Sequence, residues 1–323
     1  MVYELLYGDK TNGQTWNIGN LTETVSYDTQ RTGSPGKLTF TCHKVKDIFH
    51  APGDVVRFSV DGTLIFFGWV FTVSTDRWGV IEITCYDQLR YLKANASYAF
   101  YGVSAGEIIA QIAGDFGLTL STIEDTGYKL PSLIETDKSC LDIISEAIQQ
   151  TLLNTGKMYV FFDDGIGLSL REAKGMISDT VLGEKSLVGE FDYKIDIDSQ
   201  TYNSIKLSRP NEETGKAEVF LVQDSTNIGK WGLLQYYSEL DENVNDAQAA
   251  EQAKSMLSYY NKELKKADLS SLGVVGLRAG QMVLLMIPGN NGIQEQQYVM
   301  LESVSHTFTQ GHHTMDIQTL SIL

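Results

Sequence analysis

Three histidines near one end of the sequence, His306, His312 and His313, are the first candidates for chemistry, because imidazole is a common metal ligand. A zinc-type site needs three or four converging ligands. His312 and His313 are adjacent in a stretch that alternates like a strand, so they point to opposite faces and cannot readily share an ion. His306 could meet one of them across a hairpin, but the sequence identifies no third ligand. Asp192, Asp196 and Asp198 recur with period two, as a calcium or carboxylate cluster would. Lys194 between them instead marks an ordinary solvated strand face. Asp163-Asp164 could be an acid pair, yet Asp-Asp-Gly between two apolar runs is turn chemistry. Cys140 opens a helical pattern, where a thiol pKa falls. It has no identifiable histidine partner, and a core-facing cysteine is the plainer reading. Gly165-Ile166-Gly167 lacks the helix that a dinucleotide loop requires. Walker A and G-x-S-x-G motifs are absent from the sequence. The sequence therefore assigns no catalytic, cofactor-binding or metal residue, and the expectation is a protein that is not an enzyme.

Composition agrees with a structural role. The 323 residues carry 29 Gly, 5 Pro, 16 Tyr and 13 Phe, which favours sheets with tight turns. The length suggests two to three domains. Net charge is −16, whereas gripping nucleic acid through its phosphates needs a basic surface. Cys42, Cys85 and Cys140 show no paired spacing, as expected in a reducing compartment. No apolar run approaches a membrane span, and Met1-Val2-Tyr3-Glu4 carries no charged leader, so neither export nor membrane insertion is expected.

The elements that would position such residues fall into a repeated pattern. Gly53-Asp54-Val55-Val56 opens an apolar strand, followed by strands over Leu64–Val73 and Val80–Cys85. Gly280-Gln281-Met282-Val283 opens another, followed by strands over Tyr298–Val304 and Met315–Ile322, with turns over Pro288–Gly292 and near Gly311. Val73-Ser74 and Val304-Ser305 occupy matching places. Asp61-Gly62 is a two-residue hairpin signal. Leu64–Phe71 is apolar on both faces, which implies burial on both or an interface, and Gly68 suggests a bulge or bend.

Between the copies the period becomes helical. Ser104 and Glu107 form a capping box ahead of Ile108, Ile109, Ile112, Ala113 and Phe116, with Gly117 as a stop. A second helix beginning near Asp137 to Ser139 presents Leu141, Ile144, Ala147, Ile148 and Leu152 and ends before Gly156. A hairpin over Met158–Phe162 and Leu168–Arg171 follows. Strands are expected at Phe191–Asp198, Ser204–Ser208 and Glu218–Gln223, with a turn around Asn211 to Gly215. Asn245 and Gln248 cap a helix over 245–266, with Ala250, Ala253, Leu257, Tyr260 and Leu264 on one face. Lys262, Lys265 and Lys266 would sit in its last turns, where the helix dipole favours cations. The fold class is α+β, mainly β: two related β-barrel domains over 1–95 and 190–323, the second with helix 245–266 packed on it, and an α+β domain over 96–189.

Several segments resemble the baseplate hub proteins of contractile phage tails. The nearest likeness is to the XkdQ/YqbQ type of defective prophages and tail-like bacteriocins, within the wider late-control D group. They are Tyr86-Asp87-Gln88-Leu89-Arg90-Tyr91-Leu92, Ser104–Ile109, Asp115–Leu118, Ile123–Tyr128, Leu153–Val160 and Leu277-Arg278-Ala279-Gly280-Gln281. The resemblance implies a homotrimer whose two tube-like domains make a pseudo-sixfold ring. That ring would join the hexameric tail tube or a tube initiator above to a trimeric central spike below, among other baseplate proteins. It would be assembled in the bacterial host cytoplasm and end in the baseplate of a phage tail or tail-like particle. Duplication within the subunit is how symmetry steps from six to three. Part of the acidic charge, with Asp192 to Asp198 as a candidate strand, would face a channel that does not hold DNA. The alternative is a cell-wall-targeted hydrolase or peptidoglycan-binding tail component, housed as a LysM-like unit in Ala96–Gly189. The sequence shows no acid pair of the kind glycoside hydrolysis uses.

Overall fold

Turn and cap residues set where each element begins, and strand pairing sets where it lies. The computed structural model describes residues 2–320, except 46, 47, 49, 185, 212–215, 241–243, 289–293 and 310. The expected turns over Pro288–Gly292 and Asn211–Gly215 lie largely outside the described residues. The chain opens with β1 (Tyr3–Gly8), β2 (Thr15–Asn17), β3 (Thr22–Gln30), β4 (Lys37–His43), β5 (Val55–Val60), β6 (Thr63–Thr75) and β7 (Val80–Tyr86). Asp61 and Gly62 both have positive φ, 47° and 81°, and close the β5–β6 hairpin as the sequence predicts. Period-two alternation buries Leu38, Phe40 and Cys42 from β4 against Val25, Ile83 and Phe58. Gly68 lies in register opposite Val56, not at a bulge. Glycine is needed there because a Cβ would stand 2.3 Å from the Tyr86 carbonyl oxygen.

A 3-10 turn over Gln88–Lys93 leads into β8 (Asn95–Val103), α1 (Ala105–Asp115), β9 (Leu120–Ile123), β10 (Leu130–Ser139), α2 (Cys140–Thr155), β11 (Tyr159–Asp163) and β12 (Leu168–Glu172). Both caps form as read: Ser104 and Glu107 exchange hydrogen bonds, and Gly156 ends α2 with φ 69°. Ile108, Ile109 and Ile112 pack on Leu141, Ile144 and Ala147, with Leu89 and Leu92 completing that core. Ser104→Ala should lower stability by about 1 kcal/mol, seen as a reduced urea midpoint at constant m. A change under a few tenths would mean that packing alone holds α1.

The rest of the chain is β13 (Ile177–Gly183), β14 (Val188–Asp196), β15 (Ser204–Asn211), β16 (Lys216–Gln223), α3 (Ser225–Trp231), β17 (Gln235–Glu239), α4 (Asp246–Tyr260), β18 (Leu264–Leu272), β19 (Met282–Pro288), β20 (Gln294–Thr309) and β21 (His312–Leu320). The capping box of Asn245 and Gln248 is present, but the helix stops at Tyr260 instead of reaching 266. Leu264, Lys265 and Lys266 belong to β18, which is hydrogen-bonded on both edges, to β14 and β21; those ladders outweigh the local helix preference. Nor does α4 lie on the second large β-unit. Ala249, Ala253, Met256 and Tyr260 pack it onto Ile205 and Leu207 of the separate sheet β16-β15-β17.

The expected pair of separate barrels is replaced by one 13-stranded sheet, and among the described residues it does not close. Its main path is β14-β18-β21-β20-β3-β4-β7-β6-β5-β1-β2, with β19 and β13 branching from β20. The physical reason is the length of β20. Its first part, to Met300, pairs with β19, and the edge beyond, Ser303–Thr309, is taken by β3. β13 pairs with β19 in this sheet, and residue 189 lies within β14.

The repeat itself is carried by topology. Strand order β1-β5-β6-β7-β4-β3 in the first module matches β13-β19-β20-β21-β18-β14 in the second, and the chain order of the members is the same. Finer detail matches too. A register shift lies between Val70 and Thr72 in β6, and between Leu301 and Ser303 in β20. Gly53 N–H donates to the Val70 carbonyl as Gly280 N–H donates to Leu301, and Val70 N–H donates to Asp54 as Leu301 N–H donates to Gln281. Three differences stand beside this. β13 runs parallel to β19 whereas β1 is antiparallel to β5. The first strand of the second module, β13, lies ahead of residue 190. The second module is also interrupted, between β14 and β18, by the small sheet and α4.

Candidate functional site

Strand alternation gives the large sheet a buried side and a polar side that runs unbroken through both modules. One polar row crosses it through paired residues: Glu190, Ser270, Asp316, Ser305, Asp28, Lys37 and Tyr86. The next row is Asp192, Asp268, Gln318, Ser303 and Gln30. Here Asp192 stands directly opposite Asp268, a like-charge pairing that a sheet does not adopt for stability. On this side Asp28, Glu82, Glu190, Asp192, Asp268 and Asp316 outnumber Lys37, Lys194 and Lys266. Between β14 and β4 serines, threonines and glutamines fill many of the remaining places. The surface is negative, small-chained and without a deep apolar recess. Asp28 is held by Lys37 at 3.1 Å and by the Ser305 hydroxyl, and Ser270 Oγ donates to Asp316 at 2.8 Å. The carboxylate-rich part of this wall repels phosphate; at its far end the row passes from Tyr86 to Trp69 of β6.

Behind it, three parts of the chain meet at a buried polar latch. Asp87 accepts from Gly36 N–H at 2.8 Å and Leu89 N–H at 3.0 Å. Asp163 accepts from the Gln88 side chain at 3.0 Å and Gly165 N–H at 2.7 Å. Arg278 donates to the Asp163 carbonyl at 2.6 Å, with its guanidinium 4.1 Å over the Phe162 ring. Burial pushes the Asp87 carboxyl well above the usual range, and the negative Asp163 adds to it. Asp163 is raised for the same first reason, with its hydrogen bonds opposing. The latch ties the first module, the α+β part and the second module. Sequence reading missed it: Asp87 and Arg278 stood only as letters inside the family-like segments. The one available signal was a charge placed among apolar neighbours.

The residues singled out for chemistry go elsewhere. His306 is buried between Tyr27 and Phe308, with Nε2 2.6 Å from the Leu277 carbonyl and Nδ1 2.9 Å from His313 Nε2. A carbonyl can only accept, so the His306 proton sits on Nε2, and Nδ1 accepts from His313. His312 is exposed on the other face. Burial lowers both His306 and His313 to about 4. Asp198 lies beyond the end of β14. Asp196 turns to accept from Asp198 N–H at 2.7 Å and from Ser199, hydrogen bonds that hold its carboxyl below the usual range. Asp164 accepts from Ile166 and Gly167 N–H, as a turn residue does. Cys140 is buried, which pushes its thiol up, opposite to activation. Among the described residues no three His, Cys, Asp or Glu gather as a metal site, and no helix is long and apolar enough to cross a membrane. On the face of β6 away from Phe66 and Val70, Phe67, Trp69 and Phe71 form an aromatic row with Tyr86 and Tyr91 of their own module.

Comparison with known proteins bears on this arrangement. A family model described as YQBQ-like matches residues 25–320. The uncharacterized protein YqbQ of Bacillus subtilis (strain 168) is 30% identical over 312 residues, 93% of this chain and 92% of its own length. The phage-like element PBSX protein XkdQ of the same strain is 30% identical over 273 residues, 83% of this chain and 81% of its own. A 43 kDa tail protein of prophage MuSo2 from Shewanella oneidensis shares the fold, with TM-score 0.69 at 14% identity over 98% of both chains.

Proposed function

We propose, on the premise that this chain belongs to the YQBQ-like family, that it is a structural component of a contractile phage-type tail, the hub of its baseplate. In this reading three copies form a ring of six similar β-modules. The ring joins a hexameric tail tube or its initiator above to a trimeric central spike below, with other baseplate proteins around it. The role is one of shape and contact, not catalysis. The chain divides functionally into a first ring module, an α+β part and a second ring module. The observation that carries the reading is the repeated strand order, with the two modules joined edge to edge in one chain.

The polar sheet face would line the channel, where its excess of carboxylates lets DNA or a ruler protein pass without sticking. Assembly would take place in the bacterial host cytoplasm, and the finished hub would sit in the tail baseplate. A cryo-electron reconstruction of tails containing this protein tests this. Three copies, with the two modules alternating around an acidic channel, are expected. One or six copies per tail, or a channel lined mainly by Lys and Arg, would reject the reading.

A further inference from the structure

The internal repeat specifies a contact that a single chain leaves unmade. Within the chain, β3 and β20 pair through Ser26↔Thr307, Asp28↔Ser305 and Thr29↔Val304. By the topological match, β3 corresponds to β14 and β20 to β6. The pairings fix the residues. Val25, Ser26 and Tyr27 lie opposite Phe40, Thr39 and Leu38, as Phe191, Asp192 and Tyr193 lie opposite Leu269, Asp268 and Ala267. Val73 and Ser74 lie opposite Ile83 and Glu82, as Val304 and Ser305 lie opposite Ile317 and Asp316.

Among the described residues β14 has one strand neighbour, β18, and stands at the end of the sheet path. β6 pairs with β5 only as far as Trp69, so the edge of its second half faces no strand among the described residues. We propose that β14 of one copy pairs with the second half of β6 of another copy, antiparallel, with Lys194 opposite Ser74, Ile195 opposite Val73 and Asp196 opposite Thr72. This rests on the hub reading and gives it a register.

The side chains suit that contact. Ile195 is 38% exposed in the single chain, whereas its internal counterpart Thr29 is 3% exposed. Covering Ile195 and Val73 would bury apolar surface that now meets water. The ion pair Arg31–Glu302 at the internal seam is replaced at the new one by Ile197 and Phe71. Both seams extend the same polar face, and a new strand on an open edge satisfies backbone groups of both partners. The contact is head-to-tail, with different patches on the two copies. It therefore yields a closed ring if the rotation closes, and a filament otherwise.

The test uses the full-length chain carrying Ser74→Cys and Lys194→Cys, oxidised mildly within assembled tails. Both positions are exposed, and the native Cys42, Cys85 and Cys140 are buried, so background linkage is small. Directly opposed strand residues have Cα atoms about 4.5–5.5 Å apart, within disulfide reach, and a slip of two residues takes them out of it. The expected result is a covalent three-chain species from the double variant. Its yield should exceed by roughly tenfold that of the slipped pair Ser74→Cys with Asp192→Cys, because only the former meets disulfide geometry. Single variants should give none. Three copies per tail without the 74–194 linkage, or with the slipped pair linking equally, would overturn this junction and leave the hub reading standing. Any other copy number would remove both.

Discussion

Gly68→Ala should be strongly damaging, lowering stability by about 3 kcal/mol, at the upper end for overpacking. The added methyl would meet the Tyr86 backbone oxygen at 2.3 Å and the Phe66 ring at 2.5 Å. Phe66 is packed in the core, and Tyr86 is pinned by Trp69 on β6 and Lys37 on β4, so neither neighbour can step aside alone. The informative partner is Gly114→Ala on the exposed side of α1, where nothing lies within 4 Å of the new methyl. That change should raise stability by about 0.5–1 kcal/mol through helix propensity. Urea midpoints of the two variants should therefore move in opposite directions. Equal stability of Gly68→Ala and the parent would show that β6 and β7 do not approach as described.

A second large effect is expected on acidification. The unfolded histidines titrate near 6.5, and in the folded chain burial holds His306 and His313 at about 4. Between those values the unfolded state binds more protons, so stability is full above pH 6.5 and is lost as pH falls toward 4. His306 alone would remove about 3 kcal/mol over this window. Its neighbour is also a histidine, so protonating one disfavours protonating the other, and the two losses do not add. Asp87 and Asp163 act in the opposite sense, because their raised values make acid favour the folded state. The net curve mixes both. A His306→Gln variant isolates the histidine part: its stability should fall less steeply from pH 6.5 to 4 than that of the parent, whatever its absolute value. Parallel curves would sink the assignment.

What the sequence made legible was local. Asp61-Gly62, Ser104 with Glu107 and Asn245 with Gln248 each bond within a few residues, so their turns and caps could be read directly. That His312 and His313 face opposite ways was legible for the same reason, since neighbours on a strand alternate. The rest depended on pairing across the chain. Nothing in Thr24–Gln30 names Ser303–Thr309 as its partner, and that ladder turned two expected barrels into one sheet. Lys265 and Lys266 read as a helix end because their propensity is helical, until β14 and β21 claim both edges of their strand. α3 and β17 went unread, although Asp224, which caps α3 by accepting from Thr226 and Asn227, was a signal available in the sequence. The latch is the deepest case, because Asp87, Asp163 and Arg278 acquire meaning only when three distant segments meet.

The β3–β20 ladder has a mechanical consequence. Two domains strung on a flexible tether can swing, and a force on one is absorbed by the tether before the other responds. Here the first and second modules share seven registered residue pairs, reinforced by Arg31 to Glu302 and by Thr29 Oγ1 to the Val304 carbonyl. Sliding one module along the strand direction would have to shear all those bonds at once, since no end of the ladder can peel first. A push along the strands on one module is therefore carried to the other through the whole ladder at once.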